Sequence, residues 1–236
     1  MNARNAQRRL RTFSDPSAAS SSARFFKKEH VANRRFLGLR AATLRQLARE
    51  FRELPLSQIE TLLRSDIHEG RALALLILDL RVHRADDSIR KQVYDFYLAN
   101  IQYVDSWDLV DVSAGPLVGA YLNTRSRRPL HRLARSLSLW ERRIAIVATQ
   151  HLIRQNDFTE TLKLAEKLLH DEEDLIHKAV GWMLREVGKR HRPALESFLK
   201  QHAPVMPRTM LRYAIERFPQ AERLAYLKST SATQVR

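Results

Sequence analysis

Two tryptophans and one aspartate stand where helix formation and core packing do not call for them. In Asp105-Ser106-Trp107-Asp108-Leu109-Val110-Asp111, Asp105 or Ser106 can cap a helix, and Asp108 suits the positive end of its dipole. Asp111 lies a turn further on. It shares a face with Trp107 at i, i+4, flanked by Tyr103 and Val110. A carboxylate on so apolar a face needs either a structural arginine partner or a chemical task. Trp182 falls at the edge of the stripe Leu175, Ile176, Ala179, Val180, Met183, Leu184 and Val187, nearer Lys178 and Arg185 than the core. It is either edge packing or an exposed stacking surface. A basic run completes the set: Arg125, Arg127, Arg128, Arg132, Arg135, Arg142 and Arg143 face only Glu141. Such a run suits phosphate contact. Trp140 shares a face with Ile144, Val147 and Ala148 and reads as core, with Arg143 beside that face.

The composition narrows the partners. The chain of 236 residues carries 41 Lys and Arg against 26 Asp and Glu, a net charge of +15, which favours an anionic partner and nucleic acid first. No cysteine is present, which excludes disulfides, Cys-zinc sites and cysteine nucleophiles. The longest apolar stretch, 72–80, is too short to span a bilayer and contains Asp79. No signal-peptide core opens the chain, so a cytoplasmic, nucleoid-associated protein or a nuclear one is expected rather than a secreted one. Nucleotide-loop and H-E-x-x-H motifs are absent, and His170 with His177 is a very weak ligand pair. No metal and no cofactor is expected.

The elements that must position these residues are helices. Apolar residues recur at helical spacing almost throughout, and 44% of the chain is apolar, enough for a core. Ser57 with Glu60 and Ser138 with Glu141 have capping-box spacing, and Asp66 with Glu69 and Asp157 with Glu160 are acidic versions. Pro55, Pro129, Pro193 and Pro207 fall where helices should begin. Leu73, Leu75, Leu76, Ile77, Leu78 and Leu80 make one helix apolar nearly all round, hence central. Helical pairs at intervals of about 35 to 45 residues fit an all-α, HEAT-like superhelix, with an irregular bundle as the alternative. Residues 1–23, with Arg4, Arg8, Arg9, Arg11 and a serine-alanine tract, read as a disordered basic arm or a ragged terminus. Residues 24–236 are then expected to form a single domain.

Four stretches taken together resemble the AlkD-like DNA alkylation repair family of HEAT-repeat alkylpurine DNA glycosylases. They are Phe36-Leu37-Gly38-Leu39-Arg40, Ser106-Trp107-Asp108-Leu109-Val110-Asp111, Leu139-Trp140-Glu141-Arg142-Arg143-Ile144-Ala145-Ile146, and Ile176 through Glu186 with Gly181-Trp182 at its centre. The resemblance runs from about Phe25 to the end. It implies a helical-repeat superhelix whose basic concave face holds duplex DNA as a monomer. It also implies release of bases alkylated at ring nitrogens, such as 7-methylguanine and 3-methyladenine, without an enclosed base pocket. The family's catalytic aspartate then falls on Asp111, its aromatic pair on Trp107 and Trp182, and its DNA-contacting arginine on Arg143. Arg40, Arg142, Lys178 and Arg185 join Arg143 as expected DNA-binding residues. There are departures: some relatives carry a neutral polar residue around Arg40, and 27–35 lacks the glycine-rich loop found in part of the family.

The chemistry so implied is electrostatic. Alkylation at a purine ring nitrogen makes the base a cation that departs as a neutral molecule, and a carboxylate stabilises the sugar as it turns oxocarbenium-like. An ionised Asp111 with an arginine nearby would serve, and could position the attacking water. Two rivals use the same fold. A non-enzymatic DNA-binding protein would gain nothing from an anion near phosphate. A HEAT-type scaffold for an acidic partner would need no aromatic–carboxylate grouping.

Overall fold

The computed structural model describes residues 1–26 and 34–231, and its regular structure is helical apart from one isolated bridge between Arg35 and Ile67. The chain divides into two compact units, Met1–Tyr121 and Leu122–Arg236, in place of a single boundary near residue 23. In the first unit α1 (Ala3–Arg11), α2 (Pro16–Ala23), α3 (Ala41–Glu50), α4 (Leu56–Leu63), α5 (His68–Val82), α6 (Asp87–Ala99) and α7 (Trp107–Ser113) follow in order. A π-helical segment, Ala114–Gly119, prolongs α7 and leads into α8 (Ala120–Leu122). The second unit holds α9 (Arg128–Leu133), α10 (Leu139–Arg154), α11 (Thr159–Lys167), α12 (Asp174–Arg190), α13 (Arg192–His202), α14 (Arg208–Ala214) and α15 (Gln220–Ser231).

Each unit is gathered around one helix. In the first, α5 touches α3, α4, α6 and α7, because Leu73, Leu75, Ile77 and Leu78 are buried on several of its sides. Burying each such side chain contributes about 1.5–3 kcal/mol. Leu80 departs from the expected pattern: near the end of α5 it is exposed. In the second, α12 buries Ile176, Ala179, Val180, Met183, Leu184 and Val187, the expected stripe apart from half-buried Leu175, against α10, α11, α13 and α14. A Cβ on Gly181 would meet the Met210 carbonyl oxygen at 2.5 Å, so only glycine lets α12 and α14 approach this closely. Packing on the next helix and on the next but one, in the rows α3–α5–α7 and α10–α12–α14, is the pattern of an α-helical repeat.

The first 23 residues correct the expectation of a disordered arm. Ala3, Ala6 and Leu10, spaced i, i+3, i+7, are buried, and α1 packs against α3, α4 and α5. The Ala3 amide donates to Gln58 Oε1 at 2.9 Å. Asn2 caps α1, and Asp15, followed by Pro16, caps α2. The arginines sit on the remaining face and in the last turn of α1, where Arg8, Arg9 and Arg11 complement the negative end of the helix dipole. Among the expected capping boxes, Ser138 accepts from the Glu141 amide at 3.5 Å, and Asp157 accepts from the Thr159 amide that opens α11 at 3.2 Å, while Glu160 turns to His131. Ser57 is one residue inside α4, which starts after Pro55, and Glu60 pairs with Arg64 instead. Trp140, expected in the core, lies half-buried in the first turn of α10.

Because Leu10 is fully enclosed, Leu10→Ala should destabilise the protein by about 2–5 kcal/mol. Urea denaturation reads this directly, and an unchanged midpoint would show that α1 contributes nothing to the core.

Candidate active site

The segment 34–40 and the start of α7 are both fastened to the first turn of α5. The Arg35 amide donates to the Asp66 carbonyl, and the Arg35 carbonyl accepts from the His68 amide, both at 2.9 Å. That second bond satisfies an amide the helix start leaves without an intrahelical partner. Glu69, 4% exposed, accepts from the Leu37 and Gly38 amides at 2.9 and 2.7 Å and from Leu39 at 3.4 Å. Gly38 has φ +79° and lies against the backbone of Asp15 and Ala19, where a Cβ would clash at 2.4 Å. The chain thus turns sharply into α3 and leaves Arg40 exposed at its N-terminal boundary.

The other side chains of the α5 start reach α7. Buried His68 has its Nε2 2.7 Å from Asp108 Oδ2 and its Nδ1 3.1 Å from an Arg34 amino group. Arg34 can only donate, so Nδ1 accepts and Nε2–H donates to Asp108. Arg71 Nη1 donates to Asp105 at 2.8 Å, and Arg34, almost wholly buried, forms a second ion pair with the same carboxylate. Burial alone would push the Asp108 carboxyl up. Hydrogen bonds from His68, Ser106 and the Leu109 amide outweigh it and hold that carboxyl below the usual range. Ser106 occupies the N-cap position of α7 as expected, but its hydroxyl donates to Asp108 rather than capping a backbone amide.

Trp107 and Asp111 lie one turn apart on α7, and both are half-buried. Phe26 stacks on Trp107 with centroids 5.5 Å apart, and Phe36 continues the group by stacking on His68 at 4.8 Å. Asp111 is engaged rather than free. Asp105, two residues before Trp107, takes its own arginine pairings with Arg34 and Arg71. After α7 the helix widens at Ala114-Gly115-Pro116, where proline supplies no amide for an ordinary α turn.

Trp182, Lys178 and Arg185 lie in the second unit on one face of α12. Trp182 is half-buried. Lys178, partly exposed, pairs with Asp174 at 2.8 Å, and Arg185 pairs with Glu216. Two arginines depart from expectation. Arg142 grips Asp171 through Nε and Nη2 at 2.6 and 3.1 Å and donates to the Ser136 and Leu137 carbonyls. Four of its five N–H donors are therefore committed, and it is withdrawn from the phosphate contacts. Arg143 is 4% exposed and donates to the Leu175 carbonyl at 2.5 Å, tying α10 to the first turn of α12.

Sequence reasoning did not find Arg34, His68, Glu69 or Arg71. The available signal was the polar block His68-Glu69-Gly70-Arg71 opening an otherwise apolar helix. The segment 27–33, where a departure from the family loop was noted, lies outside the described residues. Among the described residues no group of three His, Cys, Asp or Glu side chains could hold a metal, and no helix is long and apolar enough to cross a membrane.

Helices packed on the next and the next but one, with an aromatic and a carboxylate sharing one face of α7, define an all-α repeat protein. The chain belongs to the DNA alkylation repair enzyme family, whose sequence model matches residues 6–218 and so includes most of α1. Its fold is similar to that of a solved structure described as a predicted DNA alkylation repair enzyme from Enterococcus faecalis. The TM-score is 0.69 at 20% identity, over 88% of this chain and 97% of that one. No curated protein matches the chain.

The Asp108 network sets an acid limit. A carboxyl held below its unfolded value stabilises the fold fully above that value, and the contribution is lost as pH falls through the lowered folded value. Unfolding free energy measured below about pH 4 should therefore fall more steeply in the wild type than in Asp108→Asn. Parallel curves would show that Asp108 is not preferentially ionised in the folded state.

Proposed function

We propose that this member of the family is a DNA glycosylase that releases cationic alkylated purines, 7-methylguanine and 3-methyladenine among them, from duplex DNA. The observation that carries the reading is the pairing of Trp107 and Asp111 on one face of α7, whose N-terminus is fixed by the Asp108–His68 hydrogen bond. Water attacks the sugar carbon as the bond to the base nitrogen breaks. The bonding pair passes to the base and cancels its charge, and the water proton is lost to Asp111 or solvent. Asp111 stabilises the positive charge that builds on the sugar, a role that needs no acid to protonate the leaving base.

Trp107 and Trp182 each offer an electron-rich face to the cation, worth about 0.5–2 kcal/mol. Phe26 supports this use of Trp107 by stacking on one of its faces and fixing the indole plane. Arg40, which is exposed, and Lys178, partly exposed and paired among the described residues only with Asp174 on its own helix, are the phosphate contacts this reading favours. Arg185 contributes more weakly, through its pairing with Glu216. Arg143 enters as the buried tie beneath the helix carrying Trp182. The protein acts as a monomer, without metal or cofactor, in the compartment that holds the genome.

Asp111→Asn preserves size while removing the charge. Release of 7-methylguanine from a duplex should fall by about 100-fold or more, with the dissociation constant for the same DNA changed by less than about threefold. Unaltered release would remove Asp111 from the chemistry. Tight binding with no release of either base by the wild type would leave a DNA-binding protein without this activity.

A further inference from the structure

Leu137, in the turn between α9 and α10, is 100% exposed. A single apolar side chain on a surface is ordinarily without consequence. This one is held out by built structure. The Ser136 amide donates to the Leu133 carbonyl and the Ser138 amide to Ser136 Oγ, each at 3.0 Å. Arg142 donates to the Ser136 carbonyl at 3.0 Å and to the Leu137 carbonyl at 2.9 Å. The guanidinium is itself locked on Asp171, whose side chain is almost entirely buried. The backbone presenting Leu137 is therefore fixed before any partner arrives, and covering the side chain costs little further ordering.

The surroundings say what would cover it. Arg128 and Arg132 on α9 and Arg135 just beyond it follow at i, i+4, i+7, all exposed and none in an ion pair among the described residues. The partner must offer anions along a rim and apolar surface behind them. A duplex groove offers both, phosphates at its edges and stacked bases within, and it is the partner that the net charge of +15 and membership of a DNA repair family favour.

We propose that the α9–α10 turn is a second DNA contact, distinct from the excision residues, in which Leu137 wedges into the minor groove while Arg128, Arg132 and Arg135 hold flanking phosphates. The inference rests on the reading of this protein as a DNA-binding enzyme. It gives Arg142 its place: the arginine expected on a phosphate serves as the clamp behind the wedge. An apolar wedge unstacks the step it enters, which tilts the duplex and lengthens its contact with the protein.

The test uses undamaged duplexes carrying 2-aminopurine, whose fluorescence rises on unstacking, with the wild type, Leu137→Ser and Leu137→Met. All three should share one unfolding midpoint, since the side chain makes no packing contribution. The wild type should bind and raise the fluorescence. Leu137→Ser should bind about tenfold more weakly with a saturated signal falling toward that of free DNA, and Leu137→Met should restore both. Binding and signal unchanged in Leu137→Ser would overturn the wedge and leave the DNA reading intact. Failure of the wild type to bind the duplex at all would overturn the DNA reading and the wedge with it.

Discussion

A buried carboxylate at the start of α5 carries more of this architecture than any other group. Glu69 is almost without solvent, and its charge is tolerable only because amides from Leu37, Gly38 and Leu39 converge on it. That convergence fixes the turn into α3, and the turn in turn receives α2: the Asp15 amide donates to the Leu37 carbonyl at 2.8 Å. Its neighbours His68 and Arg71 face the other way and hold Asp108 and Asp105 at the start of α7. One helical turn thus sets both the loop ending at Arg40 and the helix carrying Trp107 and Asp111. Removing a member of such a network leaves a buried charge or amide unpaired, so its parts stand or fall together.

The second unit repeats the idea with different chemistry. There the two arginines in the first turns of α10 look inward: Arg143 to the backbone of α12, Arg142 to Asp171 and the turn before α10. Their charge is used for positioning, and Lys178 is left as the more exposed cation beside Trp182. In both units the residues assigned to the reaction lie on helices held from behind by charged side chains. An enzyme that relies on preorganised electrostatics needs such rigidity, since the groups must not reorganise as charge develops.

The sequence and the structure agree where the signal is periodic and strong. The stripe of α12 and the all-round apolar character of α5 were legible because leucine, isoleucine and valine mark a buried face unambiguously. The stripe of α1 was not, because two of its three members are alanines, which weigh little beside the arginines around them. Long-range polar ties were invisible for another reason. Glu69 has a local partner at capping distance in Asp66, and nothing in the sequence reveals that it turns to an amide 31 residues away. Arg142 sits in a basic run that looks solvated, yet its partner Asp171 is 29 residues distant. Trp107 and Asp111 were legible because their spacing is itself a statement about one helix face.

In the mechanism we propose, positive charge on the lesion, met by Asp111 and electron-rich rings, replaces acid catalysis of base departure. Rates of release from two duplexes identical except for one base, 7-methylguanine or uracil, test it most directly under single-turnover conditions. The cationic base should be released and the neutral one should leave only at the background rate. Uracil excision at a comparable rate would contradict it.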